Sequence, residues 1–333
     1  MSFNLKNTEK NELLLHNQGH IIDDQPPGLS ENHSDTIYDF GNLTLNEWLF
    51  DGILIRESKI LFNEPLQMDW QGNFEMVTMH FNLKGALDVN IKADNSTFSF
   101  KNNQHNLMYG SEAGGAIKVE DLVQHIFMIQ MGRDAFFRIA ENGNEILKRF
   151  ADDVYKGKTA VLSNQNLNID LSIQRCIQDI LTCNKFGALK KMYLFSKTIE
   201  LLVLQAEAYN NSYVLPKGVL KTEYERDSII YAKEFMLKHI DFPPTLTELS
   251  RIVGINEFKL KKGFKEVFGT TVFGYLAETR LEMAKNDLLD SSKTVSQIAL
   301  ELGYSSVQHF SNAFKKRFNI SPGQIKNQDV ISN

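Results

Sequence analysis

The first strong pattern along the chain is a series of short apolar runs, broken by turn residues, from about residue 36 to residue 160. Runs such as "FEMVTMHFNLKG" and "QHIFMIQMG" are rich in β-branched and aromatic residues, and "HFNLKGALDVNI" roughly alternates apolar and polar positions, as half-buried strands do. Many short strands in one segment favour a small barrel or a sandwich. The pattern predicts a β-rich segment over residues 36–160, after a polar lead-in over residues 1–35.

Further along, the apolar period lengthens to that of a helix. Ile173, Ile177 and Ile180 share one helical face, and a second apolar face extends from Leu189 to Val203. We therefore predict helices over residues 170–210. Faces this apolar must pack on something, and two partners fit the pattern: the β-rich segment, or a second copy of the chain.

The stretch "NNSYVLPKG" contains Pro and Gly and predicts a hinge between two domains, with the boundary at residues 215/216. Beyond the hinge the pattern is helical. Thr245 is a candidate N-cap with Glu248 at the capping-box spacing, Gly254 ends that short helix, and Asn256 caps the next one. The order of helix, Gly-containing turn and helix predicts a helix-turn-helix unit.

The same apolar frame occurs again about fifty residues later. The offset is 49 residues in the first helix and 50 in the second, so the second turn is one residue longer. The matched positions are Leu246, Leu249, Val253 and Gly254 with Val295, Ile298, Leu302 and Gly303, and Leu260, Phe264 and Phe268 with Phe310, Phe314 and Phe318. Two copies of one frame predict two helix-turn-helix units, since a chance repeat is far rarer than a chance single match.

A connecting helix from about Thr271 to Ser291 is predicted between the two units. About 20 helical residues span about 30 Å. Successive major-groove faces on one side of B-DNA lie about 34–36 Å apart. A rigid connecting helix of this length is therefore suited to place two recognition helices in successive grooves.

Each predicted recognition helix leaves mostly polar or basic side chains on the face that does not pack. Gln and Asn pair with adenine, Lys reaches guanine acceptors, and clustered Lys and Arg attract phosphates, so this composition points to DNA. The candidate DNA-binding residues are Phe258, Lys259, Lys261, Lys262, Lys265, Ser306, Val307, Gln308, Ser311, Asn312, Lys315, Lys316 and Arg317. The last three are expected at the phosphate end of the second helix.

Charge is divided unevenly between the predicted domains. The chain of 333 residues has a formal net charge of −5, yet residues 216–333 hold 17 Lys and Arg against 14 Asp and Glu, a net +3, which leaves −8 for residues 1–215. This asymmetry is expected when only one domain meets phosphates.

Compartment and cofactors are constrained by a few residues. The two cysteines, Cys176 and Cys183, are too few for a disulfide framework or a zinc site and fit buried thiols in a reducing cytoplasm. The apolar run Leu13–Leu15 is too short for a signal-peptide core or a membrane span. We therefore expect a cytoplasmic protein with no membrane partner and no cofactor.

The alternative function is a metal-cupin enzyme fused to a DNA-binding domain. Metal cupins need closely spaced His and carboxylate ligands, whereas His80, His105 and His125 stand singly. A purely architectural DNA-binding protein is a third class, but it has no need of a large β-rich domain. We expect no metal and no catalytic residue, and instead an apolar effector pocket. Its candidate lining residues, each of which also fits a plain hydrophobic core, are Trp70, Phe74, Phe81, Tyr109 and Phe127.

The stretches "TLTELSRIVGINEFKLKKGFKEVFG" and "TVSQIALELGYSSVQHFSNAFKKRFNISP" resemble the arabinose-regulator (AraC/XylS-type) family of bacterial transcription factors, and the resemblance covers residues 222–327. It implies a seven-helix DNA-binding domain with two helix-turn-helix units, transcriptional activation, and RNA polymerase as a partner. The family segment usually ends in Gly-x-Ser-Pro-x-x-Tyr-Arg. This chain has Asn319 for the Gly, a substitution that costs little because Asn is the next-best left-handed cap, and Lys326 for the Arg, which keeps the charge.

More narrowly, "NEFKLKKGFKEVFGTTVFGYL" and "CNKFGALKKMYLFSKTIELLVLQ" resemble the branch that includes regulators responding to the siderophores pyochelin or yersiniabactin. That resemblance implies a cupin-like effector domain and a ferric siderophore as the effector. The expected fold class is α+β, with a β-rich cupin-like N-terminal domain and an all-α C-terminal domain. The expected domains are the lead-in over 1–35, an effector-binding and dimerisation domain over 36–215, and a DNA-binding domain over 216–333. The expected partners are double-stranded DNA, a small effector, RNA polymerase and a second copy of the chain.

Overall fold

The structure, a computed structural model, divides the chain into two compact units, Met1–Pro216 and Lys217–Asn333, one residue from the boundary predicted above. It describes residues 2–9, 13–18, 28–72, 75–92, 96–110, 114–140, 143–214, 218–290 and 293–328.

Two antiparallel sheets form the first unit. The strands are β1 (Ser2–Asn7), β2 (Leu13–Gln18), β3 (Ser30–Tyr38), β4 (Gly41–Phe50), β5 (Ile53–Phe62), β6 (Leu66–Gly72), β7 (Met76–Lys84), β8 (Leu87–Ile91), β9 (Ser96–Phe100), β10 (Gln104–Gly110), β11 (Gly114–Val119), β12 (Val123–Gly132), β13 (Ala160–Val161) and β14 (Leu167–Asn168). One sheet has the order β2-β1-β6-β11-β8-β9, and the other has the order β13-β10-β7-β12-β5-β4-β3, with β14 paired to β10. The predicted β-rich segment is therefore present, and of the two predicted arrangements, barrel or sandwich, the two sheets match the sandwich.

The polar lead-in predicted over residues 1–35 is wrong for the described residues. β1 and β2 form a hairpin, and β1 also pairs along its other edge with β6, while β3 pairs with β4. Backbone hydrogen bonding to a neighbouring strand explains how so polar a sequence joins a sheet, since the ladder is made by main-chain groups. The segment "DDQPPG" (residues 23–28) of this predicted lead-in lies outside the described residues except for Gly28.

Four helices complete the described part of the first unit: α1 (Arg133–Ala140), α2 (Glu145–Tyr155), α3 (Leu171–Leu181) and α4 (Gly187–Val214). The predicted helical region over 170–210 matches α3 and α4. The two helices α1 and α2 were missed, because they fall inside the segment predicted as β-rich. Asn144 caps α2 by accepting from the Leu147 amide, a local signal that the sequence did carry.

One face of the β7-containing sheet packs against these helices, and we call it the helix face. Ile55, Ile129 and Met79 lie side by side on β5, β12 and β7. All three are fully buried, in one core with Ile177 of α3 and Leu202 of α4. The predicted apolar stripe of α3 is thus buried in this core. α4 is buried there through Leu201 and Leu202, whereas Leu189 and Val203 of its predicted apolar face are exposed.

The other face of the same sheet looks toward the sheet that contains β6, and we call it the inter-sheet face. Ile60 and Phe62 of β5 pack in one cluster with Met68 of β6. The His80 ring on β7 lies 4.0 Å from the ring of Phe100 on β9. Residues that alternate along β5 or β7 therefore face two chemically different surroundings.

Buried polar contacts fix α4 on the helix face. The Gln205 amide, fully buried, lies 3.1 Å from Nδ1 of His105 and donates to the carbonyl of Asn106 at 3.0 Å. Burial lowers the pKa of His105 to about 3, so its ring is neutral at physiological pH. At the other end of the helix Lys190 pairs with Glu31 and Lys191 with Asp51. These contacts set the rotation of α4 and hence which of its residues face outward.

The second unit is helical throughout its described residues, and the α+β fold class is confirmed. Its helices are α5 (Glu223–Lys238), α6 (Leu246–Ile252), α7 (Glu257–Phe268), α8 (Val272–Asp290), α9 (Val295–Glu301), α10 (Val307–Phe318) and α11 (Pro322–Gln328). These are the seven helices that the family resemblance implies. Lys326 of α11 donates to the carbonyl of Lys293, which ties this last helix to the segment before α9.

Candidate nucleic-acid interface

The two predicted helix-turn-helix units are present with matching caps. α6 and α9 each have seven residues and begin at a capping box, Thr245 with Glu248 and Thr294 with Gln297. Both turns pass through a left-handed glycine, Gly254 at φ 73° and Gly303 at φ 72°. A residue with a Cβ is strained in this conformation, so glycine is required at the bend.

The second helix of each unit, which we call its recognition helix, repeats with the predicted offset of 50. α7 and α10 have 12 residues each, are capped by Asn256 and Ser306, and end at left-handed Gly269 and Asn319. The turn before α10 is one residue longer, as predicted. Asn319 takes φ 59°, which confirms it as the substitute for the family's glycine.

Buried aromatic side chains fix the rotation of both recognition helices. Leu260 and Phe264 of α7 are fully buried, as are Phe310 and Phe314 of α10, so the predicted inward positions are confirmed. Side chains four residues apart lie on one face of a helix, which leaves the opposite face free. The outward face of each helix is therefore defined by its own core.

On α7 this outward face is basic with one exposed aromatic ring. Phe258 is 62% exposed, and Lys261, Lys262 and Lys265 are exposed. Lys261 forms an i,i+4 pair with Glu257 at 3.1 Å. Hydrogen bonds from Thr247 and then from Lys261 lower the pKa of Glu257, so this carboxylate is ionised near neutral pH and offsets part of the basic charge.

Lys259, predicted as a DNA contact, is held by a carboxylate of its own unit. Its ammonium donates to Glu225 of α5 at 2.5 Å, and this hydrogen bond is the main reason why the pKa of Glu225 is lowered. Glu225 also accepts from the amides of Lys221 and Thr222. Lys259 therefore connects α7 to the first turn of α5.

On α10 the outward face is largely uncharged near the N-terminus and basic near the C-terminus. Val307, Gln308 and Asn312 are exposed, and the Gln308 amide donates to Asn312 at 3.3 Å. Ser311 is half-buried, while Ser306 uses its hydroxyl to accept from the His309 amide as the cap. The predicted base-contacting set is thus brought to one end of the helix, apart from the occupied hydroxyl of Ser306.

Of the predicted phosphate cluster, Lys315 and Lys316 are exposed, whereas Arg317 is half-buried. Its guanidinium donates to Glu278 and, at 2.9 Å, to Glu282, both on α8. Arg317 therefore forms an ion-pair network within its own helical unit. Its role as a phosphate contact stays a prediction, and this network competes with it.

One exposed residue was missed. His309 lies beside Gln308 and is exposed. The repeat offset of 50 places it at the position of Lys259 in the first unit. The aligned repeat could have identified His309, because it matches a candidate position of the first recognition helix and is not a packing position.

The predicted effector residues come together only in part. Phe81 and Phe127, which are cross-strand neighbours, and Tyr109 belong to the core of the helix face. Trp70 lies on β6 of the other sheet, outside that core. Phe74 lies outside the described residues. Three of the candidate lining residues thus share one buried core and Trp70 lies on the other sheet, and the effector pocket stays a prediction.

The three singly placed histidines also face different surroundings. His80 contacts Phe100 on the inter-sheet side, whereas His105 contacts Gln205 of α4 and His125 lies 2.8 Å from Glu57. Glu57 is buried, which by itself raises its pKa, but hydrogen bonds from His125, Lys59 and Asn46 outweigh burial and bring the value to about 2. Within the described ranges no group of three or more His, Cys, Asp or Glu side chains is arranged to hold a metal ion.

The inter-sheet face carries a polar row that the sequence did not reveal. Glu47, Arg56, Met128 and His80 lie side by side across β4, β5, β12 and β7. The first three are half-buried, and Arg56 is paired with Glu47 at 2.6 Å. His80 is 6% exposed, its pKa is lowered by burial to about 3, and its Nε2 has no hydrogen-bond partner among the described residues.

Two family models match the chain. The regulatory protein PchR N-terminal domain matches residues 41–216, which is more than half of the chain, and a helix-turn-helix domain matches residues 249–328. Among the described residues, no helix has both the length and the hydropathy that are needed to cross a membrane.

Two curated relatives come from Pseudomonas aeruginosa. The regulatory protein PchR is 37% identical over 124 residues, which cover 37% of this chain and 42% of the relative. The HTH-type transcriptional regulator ArgR is 33% identical over 93 residues, or 28% of each chain. This chain thus matches less than half of the length of either relative.

Two similar solved structures cover different shares of this chain. An AraC-type transcriptional regulator from Chromobacterium violaceum is 31% identical, covers 32% of this chain and 96% of its own, and has a TM-score of 0.30. ToxT from Vibrio cholerae covers 82% of this chain and 97% of its own at 11% identity, with a TM-score of 0.30.

The arrangement of α10 generates a test that separates base contacts from phosphate contacts. We expect Gln308→Ala to weaken binding to a specific site by about 1–3 kcal/mol and to leave nonspecific binding nearly unchanged. The matched control Lys316→Ala, on the same helix, should weaken both and lower the salt slope by about 1. Fluorescence anisotropy across a salt series measures both quantities. Equal losses on both DNAs for Gln308→Ala would reassign this residue to the backbone.

Proposed function

Because the chain belongs to the PchR branch of the AraC-type regulators, we propose that it is a sequence-specific DNA-binding transcription regulator controlled by a small effector. The observation that carries the proposal is the repeated recognition helix. Two helices of equal length, with equivalent caps and inward aromatic residues, each leave an exposed polar face. Exposed Lys near base-reading Gln and Asn is the combination that positions a protein on DNA and then discriminates sequence.

Spacing supports the use of both helices on one duplex. α8 joins the two helix-turn-helix units and has 19 residues, which span about 28 Å at about 1.5 Å per residue. We propose that α7 and α10 enter major-groove faces about one helical turn, or about 34–36 Å, apart. Transcriptional activation, with RNA polymerase as the partner and the cytoplasm as the compartment, is proposed from the family resemblance.

Footprinting on DNA upstream of its own gene and neighbouring genes tests the DNA-binding proposal. We expect two protected patches about one helical turn apart, with protection that weakens steeply as salt rises. A protein that protects no DNA at low salt, including sequences selected from a random pool, would refute the proposal.

For the effector we propose the inter-sheet face rather than the aromatic core of the helix face. The polar row there combines the guanidinium of Arg56, the soft side chain of Met128 and the unpartnered Nε2 of His80. A forked guanidinium recognises carboxylates, and a thioether adapts to apolar groups. We propose that the anionic group of a small effector displaces Glu47 as the partner of Arg56, and a ferric siderophore is the candidate that the branch resemblance supplies. Binding would shift the population between states with different DNA affinity.

Arg56 gives this effector site a sharp test. We expect Arg56→Gln to weaken ferric-siderophore binding by about 10- to 100-fold, since a charge-assisted hydrogen bond contributes about 1.5–3 kcal/mol. Lys59→Gln is the control, because Lys59 lies on the same strand but pairs with Glu57 of the helix face. Fluorescence of Trp70, measured in a Trp48→Phe background, reports binding. Equal affinity of the two variants would reject the site.

We also propose that the protein forms a dimer through α4. Its outward side carries Leu189, Met192, Ile199 and Val203, which are 69%, 68%, 36% and 48% exposed. Their spacing of three, seven and four residues is that of a coiled-coil seam. In an antiparallel pair, Leu189 lies opposite Val203 of the second copy and Met192 opposite Ile199.

The dimer proposal predicts that Met192→Glu raises the dimer dissociation constant by at least about 30-fold, as expected for a central interface residue. Asn211→Glu adds the same charge at an exposed position of the same helix, off the seam, and should leave the dimer intact. Sedimentation velocity over a concentration series measures both variants. A wild-type protein that stays monomeric at micromolar concentration would contradict the proposal.

A further inference from the structure

The connecting helix α8 carries three charged residues that reach both helix-turn-helix units. Glu278 and Glu282 are four residues apart and share one helical face, while Arg280 lies on another side. All three contact groups outside α8. Their partners are 35 to 40 residues away along the chain, so the contacts are tertiary.

On the side of the second helix-turn-helix, Arg317 of α10 is held between the two carboxylates. Nη2 donates to Glu282 at 2.9 Å and Nε donates to Glu278. The guanidinium carbon also lies 4.9 Å from the centre of the Phe318 ring. The carboxylate side chains are only 12% and 19% exposed, so this network is shielded from solvent far more than an ordinary surface pair. It fixes the C-terminal half of the recognition helix against α8.

On the side of the first helix-turn-helix, Arg280 reaches the segment between α5 and α6. Its Nε donates to the carbonyl of Ile240 at 2.9 Å, and its guanidinium lies 5.7 Å from the ring centre of Tyr304. Tyr304 follows the turn glycine of the second unit. Arg280 therefore contacts both the segment that precedes the first helix-turn-helix and the turn of the second helix-turn-helix.

Gly303 shows how close this junction is. A Cβ placed there would lie 2.1 Å from the carbonyl oxygen of Asp241 and 2.6 Å from Nη2 of Arg280. The glycine is thus required both by its positive φ and by the close approach of the Asp241 backbone, which precedes the first helix-turn-helix. Packing this tight leaves the second helix-turn-helix little freedom to rotate relative to the first.

We infer that Arg280, together with the network of Glu278, Glu282 and Arg317, is a clamp that fixes the second recognition helix relative to the first. This inference rests on the proposed function. Arg317 acts as a positioning residue and not as a phosphate contact. The consequence is a strict preference for one spacing of the two DNA patches, because a clamped pair of helices enters two grooves only at the matching separation.

The double variant Glu278→Gln with Glu282→Gln separates the clamp from simple electrostatics. Removing two negative charges should tighten binding to any DNA if only charge matters. The clamp predicts the opposite on a two-patch site, about a tenfold loss of affinity, because part of the gain from joining two modules is lost. It also predicts a smaller penalty when the spacer between the patches is lengthened or shortened by one base pair.

Arg317→Lys adds a second test with the charge kept. Lys is a good phosphate ligand but lacks the fork that bridges two carboxylates. A phosphate role predicts nearly normal binding, whereas the clamp predicts the same relaxed spacing preference as the double variant. Glu301→Gln, an exposed carboxylate on α9, is the matched control for charge. Thermal unfolding of each variant shows whether the second unit remains folded at the assay temperature.

The measurement is the affinity of the full chain for a two-patch site, its spacer variants and a single patch. Unchanged spacing preference in folded variants would overturn the clamp and leave the DNA-binding proposal standing. A wild-type protein that does not distinguish two patches from one would instead contradict the proposed use of both helices.

Discussion

The second unit depends on the burial of paired apolar residues inside each recognition helix. Phe310 and Phe314 on α10, and Leu260 and Phe264 on α7, occupy positions four residues apart and are fully buried. Replacing a buried Phe with Ala costs about 3–5 kcal/mol, so rotating either helix away from its core is strongly disfavoured. Because one residue of helix rotation is about 100°, any slip would also bury lysines. The exposed polar face is thus a consequence of the core.

Local sequence signals predicted the second unit well. Caps, capping boxes, turn glycines and the apolar frame all act within a few residues, and the offsets of 49 and 50 are reproduced by the bounds of the helices. The roles of Lys259 and Arg317 could not be predicted in this way. Their carboxylate partners lie 34 to 39 residues away, and a basic residue looks the same in sequence whether it meets a phosphate or an internal carboxylate.

The first unit shows why strand patterns gave the fold class but not the pocket. Both faces of the sheet containing β7 are covered, one by helices and one by the second sheet, so apolar residues appear on both and alternation alone does not assign them. Phe81 and Phe127 belong to the closed helix face, whereas Arg56 and Met128 belong to the half-buried inter-sheet face. Pairing of β1 with β6 was also invisible, since it depends on main-chain groups contributed by distant segments.

The two recognition helices are similar in backbone but unlike in chemistry, and the longer turn before α10 adds to the difference. α7 presents Phe258 with three lysines, whereas α10 presents Val307, Gln308 and Asn312. A protein whose two ends differ in this way has a head and a tail when it lies on DNA. The DNA site of one chain is then asymmetric and not palindromic. One bound chain therefore has a defined orientation along the chromosome.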